Sequence, residues 1–435
     1  MRRIAFLLLG LSSSSAFANT ETWWQPFSAL NTGDTAWVMM ATILVLFMTV
    51  PGLALFYGGM VRKKNVLSTM MHSFSATALI GILWVVIGYS LAFTEGNWFI
   101  GGFERVLLHG MSIDLVNQQL TISPNAPTIP ESVFMLFQMT FGIISVAIIS
   151  GAFAERIKYS VMMWFSGLWF LLVYVPICHW VWGGGFMAQG GVLDYAGGTV
   201  VHISAGIAGL VVAIMLGKRV GHGKEAMPPH NMVITLIGAG MLWIGWFGFN
   251  AGSAMSASAS AGMVMVVTQV SATAGALTWL ICEKIAGHRT SSLGLVSGVV
   301  SGLVGITPAA GFVDTTGALC IGILTTMGTF LSVSIMKHKL GYDDSLDAFG
   351  IHGFGGILGA ILTGIFFNNE IFAGDKQIFT QIFIQIKDVI ITVIYSGVMS
   401  ILILTVVKKI CKGLRVEYDD ERAGLDVSIH GERVE

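Results

Sequence analysis

Two histidines share a local pattern. His202 opens His202-Ile-Ser-Ala-Gly206-Ile207-Ala-Gly209, and His352 opens His352-Gly-Phe-Gly-Gly356-Ile357-Leu-Gly359. Both read H-x-x-x-G-I-x-G inside apolar sequence, and each follows an acid, Asp194 or Asp347. An ionisable side chain inside a membrane helix is expensive and usually functional. Neutral imidazole carries one donor and one acceptor, so two rings can bond each other and still offer a nitrogen to a passing molecule. The sharp reading pairs His202 with His352 across one central pathway; the bland one satisfies each separately in helix packing. Their repeat-related positions favour the pair. Asp194 opens a helix, where a carboxylate can bond free backbone N–H groups or bind a cation directly. The structural role is preferred, and Asp347 is assigned the matching part in the other half.

Aromatic residues gather near helix ends: Trp180, Trp182, Trp246, Phe247 and Phe249, with Phe137 and Phe141 in a neighbouring helix and Ser253 just past Phe249. A belt at the membrane interface explains them. A cation–π vestibule for a small cation, with Ser253 adding a hydroxyl acceptor, explains them equally well. Sequence pattern alone leaves both accounts open. Other chemistry is less well served. Two deep histidines are few for a haem carrier, no nucleophile–base set or metal cluster stands out, and no cofactor is expected. Cys178, Cys282, Cys320 and Cys411 are far apart and read as free thiols. A receptor that senses a ligand without conducting it is the second functional reading.

The elements that position these residues are membrane helices. Of 435 residues, 54% are hydrophobic and only 11% charged, against about a quarter charged in soluble domains. A net charge of -1 leaves no basic footprint for nucleic acid. Spans are expected over 36–58, 66–93, 133–154, 159–179, 196–216, 231–249, 259–282, 292–307, 311–336, 346–367 and 378–407. The short 292–307 segment, which ends at Pro308, is the weakest. Lys and Arg concentrate in every second loop (Arg62, Lys63, Lys64; Arg156, Lys158; Lys218, Arg219, Lys224), whereas the opposite loops hold only Arg105 and Lys376. The positive-inside rule then puts the N-terminus outside and the C-terminus inside. The two histidine helices lie five spans apart, so they run in opposite directions, the mark of an inverted repeat with its site near the midplane.

The chain ends complete the layout. Arg2 and Arg3, the apolar run Ile4 to Leu11 and Ala16-Phe17-Ala18 read as a secretory signal over 1–18, the alternative being an uncleaved first helix. Residues 19–35 form an outer N-terminal segment, 36–412 the transmembrane domain and 413–435 a polar cytoplasmic tail. The long outer loop, 94–132, is expected to be irregular.

At these residues the chain resembles the Amt/Mep/Rh ammonium transporters, specifically the bacterial Amt branch. The likeness rests on Pro51-Gly-Leu-Ala-Leu-Phe-Tyr-Gly-Gly59, Asp194-Tyr-Ala-Gly-Gly-Thr-Val-Val-His202, Gly245-Trp-Phe-Gly-Phe-Asn-Ala-Gly-Ser253 and Phe349-Gly-Ile-His-Gly353, and runs from about Ala36 to Glu432. It implies an all-α polytopic membrane protein. Eleven transmembrane helices form an inverted five-plus-five repeat with a pore between the halves, plus a C-terminal helix. It also implies a homotrimer in the bacterial inner membrane that conducts ammonium or ammonia, with methylammonium as an analogue, and is not an enzyme. Phe141, Trp182 and Ser253 match the family's outer recruitment site, supported by Asp194. Phe141 and Phe249 match its phenyl gate, and His202 and His352 its pore histidines. The tail, with Gly413, Arg415, Gly424 and Asp426, resembles the Amt segment that couples subunits and helps dock a PII-type signalling protein.

Overall fold

The computed structural model describes residues 23–372 and 377–434; the expected signal over 1–18 lies outside them. The described chain is a helical bundle. The long elements are α1 (Thr32–Met60), α2 (Lys63–Phe93), α3 (Glu131–Phe153), α4 (Tyr159–Gln189), α5 (Gly198–Leu216), α6 (Met232–Gly252), α7 (Ala259–Ile285), α8 (Ser292–Ile306), α9 (Thr315–Leu340), α10 (Phe349–Phe366) and α11 (Ile378–Ile410). Ten of these are long and apolar enough to cross a membrane. The exception is α8, whose 15 residues span about 22 Å at 1.5 Å per residue, short of a hydrocarbon core of about 30 Å. This is the segment the sequence marked as weakest.

Capping explains several starts. Asn31, Asn231, Ser258, Ser291 and Asp314 each accept a backbone N–H from the first turn of the helix that follows. The first helix begins at Thr32, four residues before the expected boundary at Ala36.

The long loop after α2 is more ordered than its prolines and asparagines suggest. Strands β1 (Trp24–Pro26), β2 (Ile113–Asp114) and β3 (Gln119–Thr121) form an antiparallel sheet in the order β1-β3-β2. Asp114 closes the β2–β3 turn by accepting N–H groups from Val116 and Asn117. Beneath the sheet, Arg105 and Glu131 form a buried ion pair at 2.7 Å, and the Arg105 guanidinium lies 4.3 Å from the Trp23 ring. A local pattern too short to register as strands gains its order from these tertiary contacts.

The opposite end of the bundle holds the tail. Two short helices, α12 (Tyr418–Ala423) and α13 (Leu425–His430), fold back on it. Asp426 accepts the N–H groups of Leu67 and Ser68, capping the start of α2, and Glu421 accepts from Val220 and pairs with Arg415 at 2.7 Å. Gly424 turns between the two helices at φ 105°, where a side chain would also meet Lys64. Nearby, Glu155 and Asp343 hold Arg62 and Arg219 in a buried network of ion pairs at 2.8 to 3.1 Å. For both acids burial pushes the carboxyl up, but the guanidinium groups outweigh it and the net shift is downward.

Candidate functional site

The centre of the bundle is where α5 and α10 cross. Asp194, before α5, lies at the sheet end, and Ser345, before α10, hydrogen-bonds to Arg156 at the tail end. The two helices therefore enter from opposite ends. They approach so closely that a Cβ on Gly206 would collide with the backbone of Gly353. Both begin with a π-helical turn, Gly198–Ile203 and Phe349–Gly353, and each turn carries one of the paired histidines. Turns of this kind also interrupt α1, α2, α4 and α9, so it is the histidine in each that sets these two apart.

Across this crossing His202 Nδ1 and His352 Nδ1 are 3.2 Å apart, with ring centroids 5.2 Å apart and planes 19° from parallel. Both residues are buried. One Nδ1 must donate and the other accept, so the rings adopt opposite tautomers. Their Nε2 atoms then differ too: one is an acceptor and the other an N–H donor. His202 Nε2 has no hydrogen-bond partner among the described residues.

Aromatic rings continue upward from the pair. His202 stacks on Trp246 at 5.3 Å and lies 6.0 Å from Phe249. Phe249 stacks on Phe141 with centroids 4.3 Å apart and planes 20° from parallel. Phe141 meets Trp182 edge-on at 5.7 Å. Above it a cavity of about 270 Å³ is lined by Phe134, Gln138, Phe141, Trp182, Tyr195 and Ser253, among others. The Ser253 hydroxyl donates to the Phe249 carbonyl at 2.9 Å, which leaves its lone pairs as acceptors. The Gln138 amide oxygen, which the sequence reading overlooked, is a buried acceptor with no partner among the described residues. A shared helix face could have flagged it, since Phe134, Gln138 and Phe141 follow one another at steps of four and three.

Asp194 does not line this cavity. Its carboxylate is occupied by four backbone N–H groups, from Gly197 (3.0 Å), Gly198 (2.6 Å), Thr199 (2.9 Å) and Val200 (3.1 Å). Burial pushes this carboxyl above the usual range, and the four N–H donors pull against that shift. Gly197, at φ 107°, makes the turn that gathers them. The Asp194 carbonyl accepts the Trp182 indole N–H at 2.9 Å, so one residue fixes both the start of α5 and the floor of the cavity.

The other half uses a different acid from the one expected. Asp344, not Asp347, accepts the N–H groups of Ala348 and Phe349 at 3.1 and 2.8 Å. Burial pushes its carboxyl up to about 6, against the opposing pull of the Lys337 charge. Asp347 faces outward and pairs with Lys337 at 2.6 Å. The spacing carries the signal: Asp194 precedes His202 by eight residues, and Asp344 precedes His352 by eight.

Not every aromatic belongs to the column. Trp180 packs against Phe99 and Tyr395 and donates to the Phe99 carbonyl. Phe137 is buried behind Phe141, edge-on at 5.0 Å. His72 and His179 are also buried, but His72 abuts Phe153 and His179 binds the carbonyls of Ala92 and Asn97. Gly413, at φ 119°, precedes Arg415, which pairs with Glu421 and reaches the Leu216 carbonyl.

Comparison with known proteins gives a consistent result. Residues 36–435 match the model of a family described as the Ammonium Transporter Family. The chain is 44% identical to an ammonium transporter of Aquifex aeolicus, over 100% of this chain and 99% of that one. Its fold is similar to a crystal structure of Saccharomyces cerevisiae Mep2 (TM-score 0.82, 34% identity, covering 90% and 89% of the two chains). It is also similar to a protein described as a sensor Amt protein (TM-score 0.83, 28% identity, covering 91% and 98%).

Proposed function

The chain belongs to the Ammonium Transporter Family, and from that premise we propose that it transports ammonium by capturing the cation at the sheet end and passing neutral ammonia between the two histidines. One observation carries the reading: the Phe141–Phe249 stack sits directly above a hydrogen-bonded His202–His352 pair, and among the described residues no acid, lysine or arginine belongs to that column.

The cavity above the stack suits an ammonium ion. Ser253 and the Gln138 oxygen offer acceptors for its N–H groups, and the faces of Trp182 and Phe141 offer negative π density to a cation. Potassium has a similar size and charge but cannot donate hydrogen bonds or lose a proton. Below the stack the second difference decides. A bare cation entering an apolar conduit faces a desolvation cost on the order of tens of kcal/mol, a term that neutral ammonia avoids. The proton is therefore given up to solvent water above the phenyl stack, and the rings swing aside to let ammonia through. Ammonia can donate to the acceptor Nε2 and accept from the donor Nε2–H, so opposite tautomers give it a two-sided hydrogen-bonding surface.

The assembly reading is a homotrimer in the inner membrane, with a pore in each subunit and the tail end facing the cytoplasm. The docked α12 and α13 would then lie where a PII-type signalling protein can reach them. A second reading, an ammonium sensor with little net transport, is favoured by the likeness to a sensor Amt protein.

Uptake of labelled methylammonium into proteoliposomes, with unlabelled ammonium as competitor, separates the two readings. Saturable uptake suppressed by ammonium supports transport. Binding of methylammonium without uptake above that of empty liposomes supports the sensor.

A further inference from the structure

The last long helix has a buried face that is polar along most of its length. Gln381, Gln385, Asp388, Thr392, Ser396 and Ser400 follow at steps of four, three, four, four and four, and all are buried, whereas Phe379, Phe383, Ile390, Ile394 and Val398 face outward. Four of the six polar groups bond to one stretch of chain, and Gln385 also donates to the Ala360 carbonyl of α10. Gln385 accepts the N–H of Leu193 at 2.9 Å and donates to the carbonyl of Leu193 at 2.8 Å. Gln381 donates to the carbonyl of Gly191, and Ser396 to that of Ser204. Asp388 accepts the Thr199 hydroxyl at 2.7 Å. Residues 191–204 hold Asp194, the π-turn and His202.

Of these groups Asp388 is the one whose presence is hardest to explain as packing. A serine or asparagine would also accept a hydroxyl hydrogen, and an acid in a membrane helix is costly. Its second oxygen has no partner among the described residues. Thr199 is held from both sides: its N–H by Asp194 and its hydroxyl by Asp388. Asp194 in turn holds Trp182. Asp388 thus bears on both the floor of the capture cavity and the turn that aims His202, although it lies on a helix outside the two repeats.

We propose that Asp388 is a positioning residue for ammonium capture and for His202, acting through the Thr199 hydroxyl. The inference rests on the transport reading above. It also implies that α11 serves the first half-repeat as a polar splint rather than as a lipid-facing filler.

The test uses the full-length protein in proteoliposomes and reads thermal stability, the half-saturating methylammonium concentration and the maximal rate. Thr199→Val removes the hydroxyl, and Asp388→Leu removes the whole carboxyl group, the acceptor included. Each is expected to raise the half-saturating concentration about ten-fold, the scale of one lost buried hydrogen bond. The double variant should be no worse than either single one, because both break the same contact. Thr199→Ser and Asp388→Asn, which restore a hydroxyl and an acceptor oxygen, should recover most of the affinity. If Asp388→Leu fails to fold, Thr199→Val and Thr199→Ser carry the comparison. An unchanged half-saturating concentration in Thr199→Val, or a drop in maximal rate alone, overturns the proposal while leaving transport intact. Absence of methylammonium uptake by the wild type overturns the transport reading and this inference with it.

Discussion

Replacing Asp194 by asparagine tests how the site is held. The carboxylate accepts four backbone N–H groups, two on each oxygen. Asparagine keeps one acceptor oxygen and presents an NH2 group to the other two donors. Two hydrogen bonds to a charged acceptor are lost, at about 1.5–3 kcal/mol each, so the local loss is about 3–6 kcal/mol. The Trp182 indole hangs from the Asp194 carbonyl, and Thr199 from its carboxylate, so the cavity floor and the π-turn move with it. If about 1–2 kcal/mol of that loss reaches the cavity, the half-saturating methylammonium concentration rises about 5- to 30-fold. Thermal unfolding in nanodiscs should show a lower midpoint in the same variant. A carboxylate that bound the cation directly would instead weaken capture and leave the midpoint unchanged. An Asp194→Asn protein with wild-type unfolding and wild-type affinity would refute the reasoning outright.

Other perturbations reach different parts of the site. Trp182→Leu removes a π face from the cavity, so half-saturation should rise about 2- to 30-fold by the range of cation–π energies, and identical saturation curves would leave Trp182 as packing. His202→Ala should cut the ammonium-to-potassium flux ratio by about ten-fold or more, since one hydrogen-bonding wall of the conduit is gone; unchanged flux and selectivity would count against the pair. Asp426→Ala should cost the cap at the start of α2 about 1 kcal/mol and make the tail more open to protease, while truncation before Gly413 should abolish control by a PII-type partner more than folding. A truncated protein that the partner still stops would contradict that role. The pH dependence of stability follows from the tail-end acids. Asp343 and Glu155 have depressed folded values, so their stabilisation is complete above their unfolded pKa values of about 4 and is lost as pH falls below them. Asp344, raised to about 6, acts in the opposite sense and gains as pH falls from 7 toward 5. The contributions of these three acids taken together are therefore greatest between about pH 4 and 6, so Asp344→Asn should weaken the loss of stability between about pH 6 and 8; an unchanged pH profile in that variant would contradict the assignment.

The centre of the site was legible because its residues are rare in their surroundings. A histidine in an apolar helix is conspicuous, and a repeated H-x-x-x-G-I-x-G links two of them before any contact is known. The glycines in that motif also encode the crossing, since Gly206 leaves room for the Gly353 backbone. Asp344 was missed because proximity to the motif was weighed above equal spacing, and Asp347 is merely the nearer acid. Gln138 and Asp388 were missed for another reason. Each sits on a periodic face that steps of three and four could have marked, but which face of a long apolar helix turns inward is not fixed by composition. Trp246 and Trp180 show the same limit: as aromatics near helix ends they look alike, yet one stacks on His202 and the other fills the space beside Tyr395.

Solid-supported-membrane electrophysiology on the reconstituted wild-type protein, with matched pulses of ammonium and potassium, bears most directly on the central claim. A conduit that leaves the proton outside and admits only ammonia should show at most a brief charge displacement as ammonium binds, no sustained ammonium current, and no potassium response above that of empty liposomes. A sustained current with ammonium or with potassium would mean that charge passes the phenyl stack and the histidine pair, and would contradict the account.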